Sequence, residues 1–275
     1  MHAAELAEIL SSQRNVWVIT GAGISAASGI PTYRDHGGQW KSATPIQHQE
    51  FVADANKRQR YWARSAVGWP TIADAEPNTS HQILAQMEKH NLIHYLVTQN
   101  VDGLHQKAGH QQVVDLHGRL DQAFCLNCGK YETRQSIQER LIAENPFLPE
   151  VNQQPAPDGD AHLSDEIISQ VKAPLCTACG GILKPDVVFF GGTVPKPIVE
   201  DASSSLASAS LMLVVGSSLT VYSGFRFCKI AEKLEIPIVA INQGATRADD
   251  LLSHKFSCDS GLLLQETYQL LNLNS

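Results

Sequence analysis

Four of the six cysteines stand in two pairs, Cys125-x-x-Cys128 and Cys176-x-x-Cys179, and each pair runs into glycine, Gly129 and Gly180-Gly181. Two residues between thiols let both sulfurs of a turn face one point, and two such turns complete a tetrahedral site of four sulfurs. The pattern predicts one Zn2+ held by Cys125, Cys128, Cys176 and Cys179, against the plainer readings of buried apolar cysteines or one redox pair beside a coincidence. With thiolate at all four positions there is no open coordination site for water, so the ion is structural. The pairs are unusually far apart, so a further segment is inserted within the zinc module. Six cysteines in 275 residues are too few for a disulfide scaffold, and Cys228 and Cys258 stand alone.

Apolar runs suited to buried strands occur at 16–20, 93–98, 113–116, 187–190, 211–215 and 238–241, with amphipathic stretches such as 79–90 and 222–235 between several of them. Strands alternating with helices imply a mostly parallel sheet covered on both faces. A short helix over 3–13 leads into the first strand. Two stretches break the alternation: 37–80, rich in Trp, Arg and His, and 119–183, which carries the cysteine pairs and a polar, proline-rich middle. The expected architecture is α/β, one doubly wound domain interrupted by two excursions that pack together as a smaller one.

Composition narrows the partners. The chain is 43% hydrophobic, and 21 Lys and Arg against 28 Asp and Glu leave a net charge of −7. Disorder needs low hydrophobicity and high net charge, and no global basic field favours nucleic acid. The apolar runs are far short of the ~20 residues that span a bilayer. The N-terminus lacks the cationic start, apolar middle and small-residue cleavage site of a secretion signal. A cytoplasmic protein with neither a nucleic-acid nor a membrane partner is expected.

Gly21-Ala22-Gly23-Ile24-Ser25-Ala26 fits G-x-G-x-x-G/A directly after the first strand. Glycines permit a tight turn and close backbone approach, and a helix N-terminus offers N–H groups to a pyrophosphate. One companion feature is absent: no acidic residue closes a second strand about 20 residues later, where Tyr33-Arg34-Asp35 follows in a Pro-Thr loop instead. A dinucleotide here is not held as in an ordinary nicotinamide dehydrogenase.

Taken together, Gly21-Ala22-Gly23-Ile24-Ser25, Gly29-Ile30-Pro31-Thr32-Tyr33-Arg34, Thr98-Gln99-Asn100-Val101-Asp102-Gly103-Leu104-His105 and Leu116-His117-Gly118 resemble the sirtuins, the NAD-dependent protein deacylases. The two cysteine pairs, Lys184-Pro185-Asp186-Val187-Val188-Phe189-Phe190-Gly191, Gly216-Ser217-Ser218-Leu219 and Ile241-Asn242 follow in the family's order, and the resemblance covers about residues 5–265. Finer details are similar to class II sirtuins, the type of the mitochondrial sirtuin four: Arg60-Tyr61-Trp62-Ala63-Arg64, Val67-Gly68-Trp69-Pro70, Ala156-Pro157-Asp158-Gly159-Asp160 and Val221-Tyr222-Ser223-Gly224. Thr32 departs from the family, where many relatives carry Asp.

The resemblance implies a Rossmann-type NAD-binding domain from 1–36, 81–118 and 184–275, and a small domain made of a helical module, 37–80, and a zinc-binding module, 119–183. NAD would lie in the crevice between them. Gly21, Ala22, Gly23 and Ser25 would meet the pyrophosphate, and Ile30, Tyr33 and Arg34 would belong to the cofactor loop around the nicotinamide ribose. Gly216, Ser217, Ser218, Asn242, Gln243, Gly244 and Ser260 would hold phosphate, adenine ribose and adenine.

The chemistry so implied is acyl transfer, not hydride transfer. The acyl oxygen of a modified lysine attacks the nicotinamide ribose, nicotinamide leaves, and His117 serves as general base on the ribose hydroxyls. Histidine suits this because its ordinary pKa lies near working pH. Lysine and 2′-O-acyl-ADP-ribose are the products. Gln99 and Asn100 would orient ribose and water, and Asp102 would accept from the nicotinamide amide. Among 11 histidines, His105 and His110 are read as structural.

The protein substrate would enter as an extended strand between Phe190-Gly191-Gly192 and Val221-Tyr222-Ser223, read mainly through its backbone. Val188 and Phe189 would line the lysine tunnel. Tyr61 and Arg64, at i and i+3 if 57–66 is helical, resemble the pair that holds an acidic acyl group in desuccinylating sirtuins. Alternatives are protein mono-ADP-ribosyl transfer, a preference for longer or acidic acyl groups, and a non-catalytic NAD-binding module.

Overall fold

The protein is described from a computed structural model, covering residues 2–32, 45–150 and 163–271. Six strands form a wholly parallel sheet: β1 (Val16–Thr20), β2 (Ile93–Thr98), β3 (Val113–Asp115), and, after three strands of a second sheet, β7 (Leu211–Val215), β8 (Ile238–Ile241) and β9 (His254–Phe256). Their order is β3-β2-β1-β7-β8-β9. The three intervening strands, β4 (Gly118–Cys125), β5 (Tyr131–Thr133) and β6 (Leu183–Val187), pair antiparallel in the order β5-β4-β6.

Alternation of side chains divides the large core into two. Val16 and Val18 of β1 join Leu96, Leu213 and Val239 on one face, packed by the helices His2–Ser11, Thr79–Lys89 and Ser260–Leu270. Trp17 and Ile19 join Val97, Met212, Val214 and Ala240 on the other, under the helices Lys196–Leu206 and Tyr222–Lys233. Every residue of β1, β7 and β8 is buried, which is why these segments read as continuous apolar runs.

A third core belongs to the small unit. Phe51, Tyr61, Trp62 and Ala66 from the helices His48–Ala53 and Ala55–Ala73 pack with Ile137, Leu141, Cys125, Cys176 and Leu183 from the cysteine-bearing segment. Buried Arg134 joins the two parts. Its guanidinium donates to Ser65 O and Ser65 Oγ at 3.1 Å and to Gln138 Oε1 at 2.8 Å, and lies over the rings of Trp62 and Trp69. Burial pushes that group down to about 10.

Two local expectations are corrected. The apolar run 187–190 is not a strand of the parallel sheet: β6 ends at Val187 on the edge of the antiparallel sheet, where Pro185 is tolerated. Beyond it Val188 N donates to His117 O at 2.8 Å, and Phe190 forms an isolated bridge with Gln47. The strand expected at 113–116 stops at Asp115, which leaves Leu116 and His117 in the turn into β4. No helix among the described residues is long and apolar enough to cross a membrane.

Candidate active site

Strand order reverses between β1 and β7, whose carboxyl ends carry Gly21 and Gly216. A ligand crevice is expected beyond such a switch point, and a cavity of about 960 Å³ opens there. Its floor depends on two backbone turns that nearly touch. Gly23 N donates to Gly216 O at 2.8 Å. A Cβ on Gly21 would lie 2.7 Å from Ser217 Cβ, and one on Gly216, at φ +60°, would lie 2.4 Å from Ile24 N. The turn after β1 continues as a 3₁₀ helix, Ala22–Ser28, which ends on left-handed Gly29 at φ 83°.

The cavity wall includes Gly21, Ala22, Gly23, Gln99, Asn100 and His117, then Gly216, Ser217 and Ser218, then Asn242, Gln243, Gly244 and Ser260. Tyr61, Val188, Phe189, Phe190 and Gly191 line it as well, and so do Val221 and Tyr222. Four other expected site residues lie off the wall. Ser25 and Asp102 stand behind it, buried Ile30 packs with Ile72, Leu104 and Leu120, and Arg64 is half-buried on the helix Ala55–Ala73. Tyr33 and Arg34 lie outside the described residues, as does the segment 156–160.

His117 sits in the turn between β3 and β4, and its tautomer follows from its partners. Nδ1 lies 2.8 Å from Gln99 O, which can only accept, so Nδ1 carries the proton of the neutral ring. Nε2 is then the bare nitrogen, and it accepts from Ser223 Oγ at 2.7 Å. Burial holds the ring's pKa below its ordinary value; the Gln99 carbonyl pulls the other way and the Arg226 charge adds to the depression. The result is a neutral imidazole with a basic nitrogen, a general base in form.

Neutral amides and one carboxylate frame the same point. Gln99 Nε2 donates to Thr20 O at 3.1 Å and Ser217 Oγ at 2.7 Å. Asn100 Nδ2 donates to Gly21 O at 3.1 Å and Ser25 Oγ at 2.9 Å, and Ser25 Oγ in turn donates to Asp102 Oδ2 at 2.7 Å. The other Asp102 oxygen accepts from Leu104 N at 3.0 Å. Burial raises the Asp102 pKa, and these hydrogen bonds oppose the rise. Asp102 therefore anchors Asn100 through Ser25 and presents no oxygen on the wall.

His105 and His110 are core residues. The His105 ring lies 4.9 Å from that of His81 and 5.0 Å from that of His110; His105 Nε2 meets Thr20 Oγ1 at 2.9 Å and His110 Nδ1 meets Glu88 at 3.0 Å. The sequence reading put Ser223 only in a substrate-flanking segment and missed its pairing with His117, and it missed the wall residue Arg226, one helical turn later. Ser223 lies inside a quoted motif, and an i, i+3 pattern from it leads to Arg226.

The four cysteines meet as a cluster. Their sulfurs all lie within 4.8 Å of one another, with Cys125–Cys179 at 3.5 Å and Cys128–Cys176 at 3.7 Å. Tetrahedral Zn–S bonds of about 2.3 Å require sulfurs about 3.8 Å apart, so the cluster fits Zn2+. Each pair lies in the same kind of turn: Gly129 N and Gly180 N donate to Cys125 O and Cys176 O at 2.9 Å, and both glycines are left-handed. None of the four lines the cavity, in keeping with a structural ion.

Known proteins are similar to this chain over most of its length. The pattern of the Sir2 family matches residues 21–223. NAD-dependent protein deacetylase 2 of Bradyrhizobium diazoefficiens is 49% identical over 259 residues, covering 94% of this chain and 95% of the relative. The bovine mitochondrial NAD-dependent protein lipoamidase sirtuin-4 is 46% identical over 263 residues, covering 94% and 84%. A solved structure of Sir2 with a p53 peptide and NAD+ superposes with a TM-score of 0.76 at 28% identity, covering 98% of each chain. The family pattern spans most of the chain, and nearly half the residues are shared with a full-length relative: the chain belongs to the Sir2 family.

Proposed function

We propose that this chain is an NAD-dependent protein-lysine deacylase, releasing nicotinamide, O-acyl-ADP-ribose and unmodified lysine. The observation that carries it is His117, held neutral by burial with a bare Nε2 on the wall of a cavity at the switch point of the sheet. The residues fit NAD: the glycine turns admit a close-lying pyrophosphate, and the cavity is at the upper end of the volume usual for small-molecule sites. Bound NAD supplies a ribose carbon from which nicotinamide can leave.

The chain's own residues do the rest. Nε2 takes a proton from a ribose hydroxyl once Ser223 Oγ yields its place. The Gln99 carbonyl keeps the proton of the resting ring on Nδ1 and stabilises the imidazolium as it forms. Asn100, fixed through Ser25 and Asp102, orients polar groups beside the base. Gly21–Gly23, Ser217, Ser218 and Asn242–Gly244 hold the nucleotide. Val188, Phe189 and Tyr61 shape an apolar acyl channel, and Phe190, Gly191, Val221 and Tyr222 flank the substrate backbone. Cys125, Cys128, Cys176 and Cys179 would hold Zn2+, which would tie the small unit together.

The finer assignment is class II, of the sirtuin-four type. A 46% identical relative named as a lipoamidase supports it and favours acyl groups longer than acetyl. Tyr61 and Arg64 would add an acidic-acyl preference only if Arg64 reached the channel. Lysine peptides carrying a series of acyl groups, incubated with and without NAD and read by mass spectrometry, test the whole reading. O-acyl-ADP-ribose matching the acyl group is expected; ADP-ribose attached to protein without it would mean ADP-ribosyl transfer instead.

A further inference from the structure

Tyr222 stands on the cavity rim, 57% exposed, and two guanidinium groups lie over its ring, Arg226 at 5.5 Å and Arg247 at 5.7 Å. Arg247 also packs at 4.5 Å from the Phe225 ring and donates to Thr220 O at 3.1 Å. Among the described residues neither arginine forms an ion pair. Arg226 Nε is buried with no hydrogen-bond partner at all. Two cations gathered on one aromatic ring repel each other, and this occurs in a chain whose net charge is −7. The pair is thus a local positive site in an acidic chain, with Arg226 Nε unpartnered and only one guanidinium donor of Arg247 taken, by Thr220 O.

Position identifies what would satisfy it. Arg226 lines the cavity and follows Ser223, the partner of His117, by three residues on one helix, so both share a face. Arg247 is exposed and lies off the cavity wall. A ligand that touches both guanidinium groups therefore sits on the rim beside Tyr222, next to the segment Val221-Tyr222 that flanks the substrate backbone. We infer that Arg226 and Arg247 form a receptor for a carboxylate side chain of the protein substrate, an Asp or Glu close in sequence to the modified lysine. Acidic segments are then the preferred substrates. This rests on the deacylase reading above.

The test uses the full chain and matched acetyl-lysine peptides that differ only by Asp or Asn beside the lysine. Peptide Kd is read by fluorescence anisotropy without NAD, and kcat/KM with it, at low and high salt. Wild type is expected to favour the Asp peptide by about tenfold, the low end for a charge-assisted hydrogen bond, with the preference narrowing in high salt. Arg226→Met and Arg247→Met should each bring the Asp/Asn ratio towards one, and Arg247→Lys should retain part of it. A ratio near one in wild type, or a ratio unchanged in both Met variants, overturns the inference. So does a change confined to succinyl against acetyl peptides, which would make the pair an acyl reader, or a rise in KM for NAD alike with every peptide, which would make it a phosphate binder. If no peptide yields O-acyl-ADP-ribose, the deacylase reading fails, and the anisotropy ratio alone decides on the receptor.

Discussion

Replacing His117 by alanine removes the bare nitrogen but leaves the glycine turns and Asn242 untouched. Turnover is expected to fall by ~10²–10⁴, the usual range for loss of a general base, with NAD affinity by calorimetry within about tenfold of wild type. Near-normal turnover would assign the base elsewhere. Ser223 allows a finer test, because its hydroxyl donates to Nε2 only while that nitrogen is unprotonated. Its removal in Ser223→Ala withdraws support from the neutral ring, so His117 should protonate at higher pH. The acid limb of the kcat/KM profile then moves upward in pH; a limb that stays in place would show that the contact does not bear on the base.

At the scale of elements, the zinc turns and Arg134 hold the small unit together. Cys176→Ser should release the metal, measured by elemental analysis, and melt the small unit ahead of the parallel sheet. Metal binding in isolated zinc fingers contributes on the order of ten kcal/mol of folding free energy. Less is at stake here, because the Phe51–Trp62–Leu141 core remains to hold β4 and the helices. Activity should fall along with the unfolding of this unit, and the pH dependence of the remaining fraction should not change. Full zinc content in the variant would show that the cluster is misread.

For the whole molecule, the buried cluster of His81, His105 and His110 makes stability depend on pH. Burial, aided by the neighbouring rings, depresses His81 to about 4 and holds His105 well below its ordinary value, and both His81 nitrogens lack a partner. A base whose folded pKa is depressed binds more protons unfolded, so its contribution is complete above about 6.5 and is lost as pH falls towards 4. For His81 this is on the order of 3 kcal/mol. Asp115, raised to about 6 chiefly by burial, acts with the opposite sign between its ordinary range and 6. Comparison of variants isolates the histidine. His81→Phe should gain Tm relative to wild type at pH 5 by more than at pH 8, and an equal difference at both would mean the ring's charge is irrelevant.

Much of this is legible in the amino-acid sequence. The strands at 16–20, 93–98, 211–215 and 238–241 were readable because burial on both faces leaves only apolar residues, and periodicity is then not needed. The four cysteines and the Gly21–Gly23 turn were readable because tetrahedral sulfur and close backbone approach each admit few residue types. The run 187–190 misled because an apolar stretch looks alike whether it ends an antiparallel edge strand or crosses a cavity wall. Local pattern could not reveal the tautomer of His117, set by a carbonyl 18 residues away and a hydroxyl 106 residues away. Nor could it show that Asp102 is committed to Ser25, or that Arg226 and Arg247 share one ring. The residue types that the metal, the turn and the sheet require were determined by the sequence itself. Which side chains meet, and hence which proton sits where, was decided by tertiary structure, because hydrogen bonds and burial join residues that chain order keeps apart.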